Sequence, residues 1–519
     1  MEINETPTAE PMEMLESEIA EEPKGLTREG KLRLVFALIV LAAAYLFVSC
    51  VPIIHNSLGF FVLSAVFYLL TLVFALLLGG RITLFSACAL VLGLVFSFYR
   101  FGMNSSFYFD TIDLFPTFLL SALAYLFFVV SLFDNHSRTV GGRFLLDIWK
   151  GISYLFISFG EFFSDLFKPK GAKKGASSIL TVIIGIFIAV ILLIIVGSLL
   201  SYDENFDAMM QKFDVDEIGI YITKLIITVP VAAMIYSAFA SSKANKLSDL
   251  SSEEKMLRSA GKMKFIPAML VIVPACALLI MYVLFFVSQW AYYLGAFTRK
   301  LPQAYSYAEY ARKGFFELCT VAGINAFLIA ILSCFTKTEG KTVSVIKVII
   351  VLLSAATLVL IATAISKMAL YIDAYDLTYD RLVATLILVF LAIAFIIVIL
   401  SVLIKRMKAL PFIIGVGLVF LLAFSLVNSD RLIAKYNVDS YLSGKHDSID
   451  LDYLSDNLGF NGVPELLRLY ENARDDGVRE RAKECLVNLK RDIGREDVKW
   501  YNLNFPYMTA KKALKEFRP

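Results

Sequence analysis

Histidine is nearly missing from this chain, with 3 in 519 residues, and cysteine is scarce at 6. His55, His136 and His446 stand apart from one another, so no HExxH or facial-triad spacing exists, which argues against a histidine-rich metal enzyme. Five cysteines (Cys50, Cys88, Cys276, Cys319 and Cys334) fall inside apolar blocks, where a thiol behaves as a small hydrophobe, and Cys485 is alone in a polar tail. Without a CxxC pair, neither a disulfide framework nor a zinc site is indicated, and no cofactor is expected. Charge is also thin: 18% of residues are charged, against ~25% in ordinary soluble domains. A net charge of +3 is too small to argue for nucleic acid as a partner. The first 23 residues hold eight glutamates and no lysine or arginine, the reverse of a basic leader, so no cleavable signal peptide is expected. With Pro7, Pro11 and Pro23, residues 1–30 read as a disordered acidic tail.

What the chain has in abundance is apolar residues, 58% of the total, in uninterrupted blocks. About twenty residues of helix cross a ~30 Å hydrocarbon layer, and in lipid a helix satisfies its own backbone. The reading is all-α: a polytopic transmembrane helical bundle over residues 31–427, followed by a small helical domain at 428–519. The expected spans, about eleven, are Leu32–Ile54, Leu58–Leu78, Ile82–Tyr99, Ile112–Phe133, Ser178–Leu200, Gly219–Ala240, Phe265–Val287, Gly314–Phe335, Val345–Ser366, Leu382–Ile404 and Ala409–Val427. With the N-terminus inside, inner segments carry roughly three times the lysine and arginine of the outer loops. That bias predicts a cytoplasmic N-terminus and an extracytoplasmic C-terminal domain. The lipid bilayer is the one partner such a chain must have.

Residues 141–168 are too polar to cross. Phe144, Ile148, Ile152, Leu155, Phe159, Phe162 and Leu166 recur at helical spacing, with Arg143, Asp147, Lys150, Ser158, Glu161, Asp165 and Lys168 mainly opposite. The pattern predicts an amphipathic helix lying on the cytoplasmic interface, anchored by Trp149, with Lys168, Lys170, Lys173 and Lys174 facing headgroups. In the tail, helices are predicted at Val463–Glu471, Val478–Arg491 and Met508–Phe517.

Three phrases carry a resemblance. One is Ala311-Arg312-Lys313-Gly314-Phe315-Phe316-Glu317-Leu318; another runs from Tyr371 to Arg381; the third is Asn428-Ser429-Asp430-Arg431-Leu432-Ile433-Ala434-Lys435-Tyr436-Asn437, followed by Leu451-Asp452-Tyr453-Leu454. Together with Trp500-Tyr501-Asn502-Leu503, they resemble a bacterial family known only as domain of unknown function forty-one seventy-three, and its relative forty-one fifty-three. The likeness runs from about Ser177 to the end and implies no activity. Where that family shows glycine before Leu-Thr, this chain has Asp376.

The candidate site is a charged network of Glu309, Arg312, Lys313 and Glu317 with Asp373, Asp376, Asp380 and Arg381. Glu309, Lys313 and Glu317 form a ladder of i,i+4 pairs, and Glu317 sits one turn into an apolar block, where a carboxylate needs a partner or a cavity. Arg312 is left to pair with Asp376 or Asp380. Asp373, Asp376 and Asp380 would share one face if the helix continued; three such carboxylates suit a hard cation, or are simply balanced by Lys367 and Arg381. Asn325 is expected to hydrogen-bond a neighbouring helix. Three functions remain open: a non-catalytic cell-envelope or signalling accessory that binds a partner through its C-terminal domain, a transporter or channel for a small solute or ion, and an intramembrane enzyme acting on a lipid or lipid-linked substrate. A connected set of polar groups at mid-membrane would mark the second, and an acid or nucleophile in a cleft the third.

Overall fold

The computed structural model describes residues 27–54, 58–102, 111–133, 142–167, 215–247, 264–288, 315–337, 340–404, 406–495 and 498–518. These residues fold into helices α1 (Arg28–Ile54), α2 (Leu58–Leu77), α3 (Leu84–Gly102), α4 (Thr111–Phe133), α5 (Gly142–Ile157), α6 (Phe159–Phe167), α7 (Val215–Ala244), α8 (Ala268–Ser288), α9 (Phe315–Cys334), α10 (Thr342–Tyr375), α11 (Tyr379–Leu403), α12 (Ala409–Leu426), α13 (Ser429–Leu442), α14 (Val463–Asn472), α15 (Asp476–Arg495) and α16 (Phe505–Glu516). Among them, α1, α2, α7, α8, α10, α11 and α12 supply 7 segments long and apolar enough to cross a membrane. Shorter apolar stretches occupy Leu84–Tyr99, Leu119–Phe133 and Thr320–Cys334. The fold is an all-α bundle of membrane-span helices, as its composition requires. The expected span at Ser178–Leu200 lies outside the described residues.

The chain divides into two compact units. The first comprises residues 1–50, 70–81 and 152–244. Its core is aromatic: the Phe36 ring lies 4.9 Å from Phe74, 4.3 Å from Phe239 and 5.8 Å from Tyr236. Beside this core, Arg33 Nη1 sits 3.1 Å from Asp165 and 3.5 Å from Glu161, its Nε 3.2 Å from Glu29. The Tyr236 hydroxyl donates to Asp165 at 2.6 Å, and Lys243 pairs with Glu29. These contacts fasten α6 to α1 and α7.

The break between α5 and α6 has a specific cause. Ser158 N–H should donate to the Tyr154 carbonyl one turn earlier, but the Ser237 hydroxyl stands between them. It accepts from Ser158 N–H at 2.9 Å and donates to the Tyr154 carbonyl at 2.7 Å, and Ser241 reaches Ser158 Oγ at 2.7 Å. Insertion of a side chain into the backbone ladder bends a helix at that point. The polar side of this segment is not left to solvent. Tyr154, Ser158, Phe162 and Asp165 are buried, whereas Ile152, Phe156 and Ile157 are exposed. Of the polar row, Ser158 and Asp165 are buried against protein; of the apolar row, Ile152 is exposed, Phe162 is buried and Leu155, Phe159 and Leu166 are half-buried. In the preceding residues, Asp147 and Lys150 are likewise buried and Trp149 is exposed.

The second unit comprises residues 51–69, 82–151 and 245–519. Here the Tyr68 hydroxyl of α2 reaches α3 at Gly93, which leaves room for it: a Cβ there would lie 1.8 Å from that oxygen. A short backbone pairing of Ile266 with the Phe335–Lys337 segment (3.1 and 2.9 Å) joins the start of α8 to the end of α9. In the C-terminal region, Asn428 caps α13 by accepting from Arg431 N–H at 2.9 Å. Pro464 occupies the first turn of α14, and α16 starts earlier than expected, at Phe505, because Asn504 caps it and Pro506 fits its first turn. Ile433, Leu454, Phe460, Leu466, Leu486, Tyr507 and Leu514 form one core.

Candidate functional site

Helix α10 has 34 residues, about 51 Å at ~1.5 Å each, well beyond a ~30 Å hydrocarbon layer. The surplus carries Tyr371, Asp373 and Tyr375 to a turn at Asp376, whose φ is 65° and ψ 173°. That backbone region is essentially reserved for glycine, and another residue there costs about 1–3 kcal/mol. The glycine of the resembling family and the aspartate here thus occupy a position whose difficulty is conformational. Because the turn ends α10 and Tyr379 opens α11, the three aspartates do not share a helix face. Asp373 lies on α10, Asp376 in the turn, and Asp380 is exposed in the first turn of α11.

The C-terminal region grips this turn from several sides. Leu377 is buried among the core side chains of that region, a burial worth about 1.5–3 kcal/mol. Asn437 satisfies both backbone groups of Leu377: Oδ1 accepts from its N–H at 2.9 Å, and Nδ2 donates to its carbonyl at 3.0 Å. Tyr379 N–H, a donor orphaned at the start of α11, reaches the Tyr453 hydroxyl at 3.0 Å. Gly444, at φ 76°, follows the end of α13 and lets the chain double back. Lys445 then pairs with Asp373, and the His446 ring lies between α10 and the turn.

His446 Nε2 is 2.7 Å from the Asp373 carbonyl, and Nδ1 is 2.6 Å from Asp376 Oδ1. A carbonyl only accepts, so Nε2 carries a proton. The Nδ1–Oδ1 contact is a close approach of the ring to the carboxylate, and Asp376 Oδ1 has no hydrogen-bond partner of good geometry. Burial pushes the Asp376 carboxyl above the usual aspartate range, although His446, Arg381 and Lys445 pull the other way. Arg381 donates to the Tyr375 and Asp376 carbonyls and lies 4.1 Å over the Tyr371 ring, a cation capping the end of α10.

Of the expected network, Asp373, Asp376 and Arg381 come together around this turn. Glu309, Arg312 and Lys313 lie outside the described residues, and Glu317 lies on α9 with its side chain undescribed. The groups that the sequence reading missed are His446, Asn437 and Tyr453. Deeper in the bundle, Asn325 bonds across helices as expected: Tyr282 on α8 donates to its Oδ1 at 2.8 Å, and its Nδ2 donates to Thr357 on α10 at 2.8 Å. Among the described residues, no three histidine, cysteine or carboxylate groups converge to hold a metal ion. Burial pushes the Cys485 thiol up, which disfavours the reactive thiolate.

A family model described as a domain of unknown function, DUF4153, matches residues 36–469. No curated protein and no solved structure matches. Of the two families named for the resemblance, the match is to the relative, forty-one fifty-three, and not to forty-one seventy-three. It starts within the first helix, far ahead of Ser177, and so takes in the first four expected spans as well. It ends before Trp500-Tyr501-Asn502-Leu503.

Proposed function

The chain belongs to the domain-of-unknown-function family DUF4153, and on that premise we propose that it is a non-catalytic membrane scaffold of the cell envelope or of a signalling assembly. Its spans hold the C-terminal helices outside the cytoplasm, and those helices bind the partner. The observation that carries this reading is the grip on the Asp376–Tyr379 turn. Leu377, Asn437, Tyr453, Lys445 and His446 join the C-terminal region to the long helix α10 and to α11 through apolar, hydrogen-bonded and ionic contacts at once. A loosely tethered domain needs no such attachment; a domain presented in fixed orientation does. The sidedness rests on the roughly threefold excess of lysine and arginine in the inner segments.

The transporter reading has one observation in its favour, the polar chain Tyr282–Asn325–Thr357 between three helices. Its members bond to one another, however, which is also how polar residues join membrane helices. Two measurements separate the readings. Fusions at Pro519 of one reporter active only in the cytoplasm and another active only outside decide the sidedness; a cytoplasmic signal ends the proposal as stated. Leu377→Asp, with normal membrane abundance, is expected to abolish deletion rescue, whereas N325L is expected to retain it. The reverse pattern favours transport.

A further inference from the structure

We infer that the Trp500–Tyr501 turn and the outward face of α16 form a lipid-seated anchor, whose aromatic and apolar side chains enter the membrane interface and whose lysines take anionic phospholipid headgroups. The inference rests on α2 crossing the bilayer and holds for either sidedness. Helix α2 is a 20-residue apolar span, so its first residue, Leu58, marks the edge of the hydrocarbon layer. Leu58 N–H donates to the Leu503 carbonyl at 2.7 Å, which fixes the segment around Leu503 at that edge. Trp500 and Phe505 are two or three residues from Leu503, within about 10 Å at ~3.3–3.6 Å per residue.

Exposure supports the same location. After Val427, the exposed large apolar side chains among the described residues are Leu432, Trp500, Phe505 and Met508. Leu432 follows closely on the end of α12, and the other three flank Leu503. Each therefore lies near a point where the C-terminal region meets a span. The opposite face of α16, with Pro506, Tyr507, Ala510 and Leu514, is buried in the core. Its outward face passes from Phe505 and Met508 to the exposed Lys511, Lys512 and Lys515. Trp500 and Tyr501 pack edge to face with centroids 5.8 Å apart, and Lys499 approaches the Tyr501 ring. Tryptophan and tyrosine favour the headgroup level, and neighbouring lysines favour anionic lipid. A water-facing surface gains nothing from this set.

The test uses the full-length chain with Trp149→Phe and Trp290→Phe, leaving Trp500 as the single tryptophan, reconstituted in phosphatidylcholine vesicles with and without phosphatidylglycerol. The expected result is blue-shifted emission, quenching by lipids brominated near the glycerol end, loss of quenching by aqueous iodide, and stronger bromolipid quenching when phosphatidylglycerol is present. Water-like emission quenched by iodide would overturn the inference. Silence toward both quenchers would overturn it too, since the face would then be covered by protein. Should the substituted chain fail to accumulate, the wild-type chain can be labelled with photoactivatable phosphatidylcholine. Adducts within residues 499–508 support the anchor, and their absence removes it.

Discussion

Replacing Asp376 by glycine and by alanine separates backbone strain from side-chain contact at the turn. Both changes delete the contact with His446, so that loss cancels in the comparison. The alanine keeps a Cβ at φ 65° and ψ 173°, and so retains the strain of about 1–3 kcal/mol that glycine relieves. Glycine gives back about 0.5–1 kcal/mol through the greater freedom of its unfolded chain. The difference should favour D376G over D376A by up to about 2.5 kcal/mol. Pulse proteolysis of the detergent-purified chain across a urea series, read on the C-terminal fragment, measures it. Glu484 on the exposed face of α15 supplies the control: at an ordinary helical position the order reverses, with alanine ahead of glycine by about 0.5–1 kcal/mol. Should D376A exceed D376G, as at the helical control, the turn is not strained and the explanation of the glycine-to-aspartate departure fails.

Three further outcomes are expected. Because burial raises the Asp376 carboxyl above its ordinary 3.8, the folded chain holds more protons than the unfolded one between that value and the raised one. Stability relative to D376N should therefore fall as pH climbs through that window and level off above it; a difference that grows with pH contradicts the assignment. N325L removes two interhelical hydrogen bonds, worth about 1–3 kcal/mol together, and should lower the SDS-unfolding midpoint, with T357V adding less than its own separate effect. D165A removes the nearest acid from Arg33, which keeps Glu29 and Glu161, and leaves the Tyr236 hydroxyl without its acceptor. It should lower the unfolding midpoint, and R33L with D165L should lower it less than the sum of the two single changes.

Hydropathy made the spans legible because lipid imposes one rule on every crossing segment: be apolar, about twenty residues long and helical. The same simplicity hid the faces. In α5–α6 the periodicity identified two sides, but the composition of a face does not say what touches it: Ser237, far along the chain, breaks the helix at Ser158, and Arg33 and Tyr236 hold Asp165 on the buried side. The turn at Asp376 was half legible. Asp373, Asp376 and Arg381 stood out as charges in an apolar chain, yet their spacing suggested a continuous helix that the φ of Asp376 interrupts. His446 gave no local signal at all, since its partners lie some seventy residues earlier and its role depends on Gly444 turning the chain back. Asn325 was readable because an amide at mid-span has few alternatives to bonding another helix. Helix α13 went unread: its buried set, Ile433, Ala434, Asn437 and Val438, mixes polar with apolar residues and dilutes the periodic signal.

The most direct test of the scaffold reading is site-specific photo-crosslinking from the exposed face of α15, at Glu484, Asn488 and Arg491, in cells carrying either the wild-type chain or L377D. A discrete partner adduct is expected from the wild-type chain, with its loss in L377D at unchanged membrane abundance. An adduct that persists in L377D, or no adduct from any of the three positions, would contradict the claim that the gripped C-terminal helices are the partner-binding element.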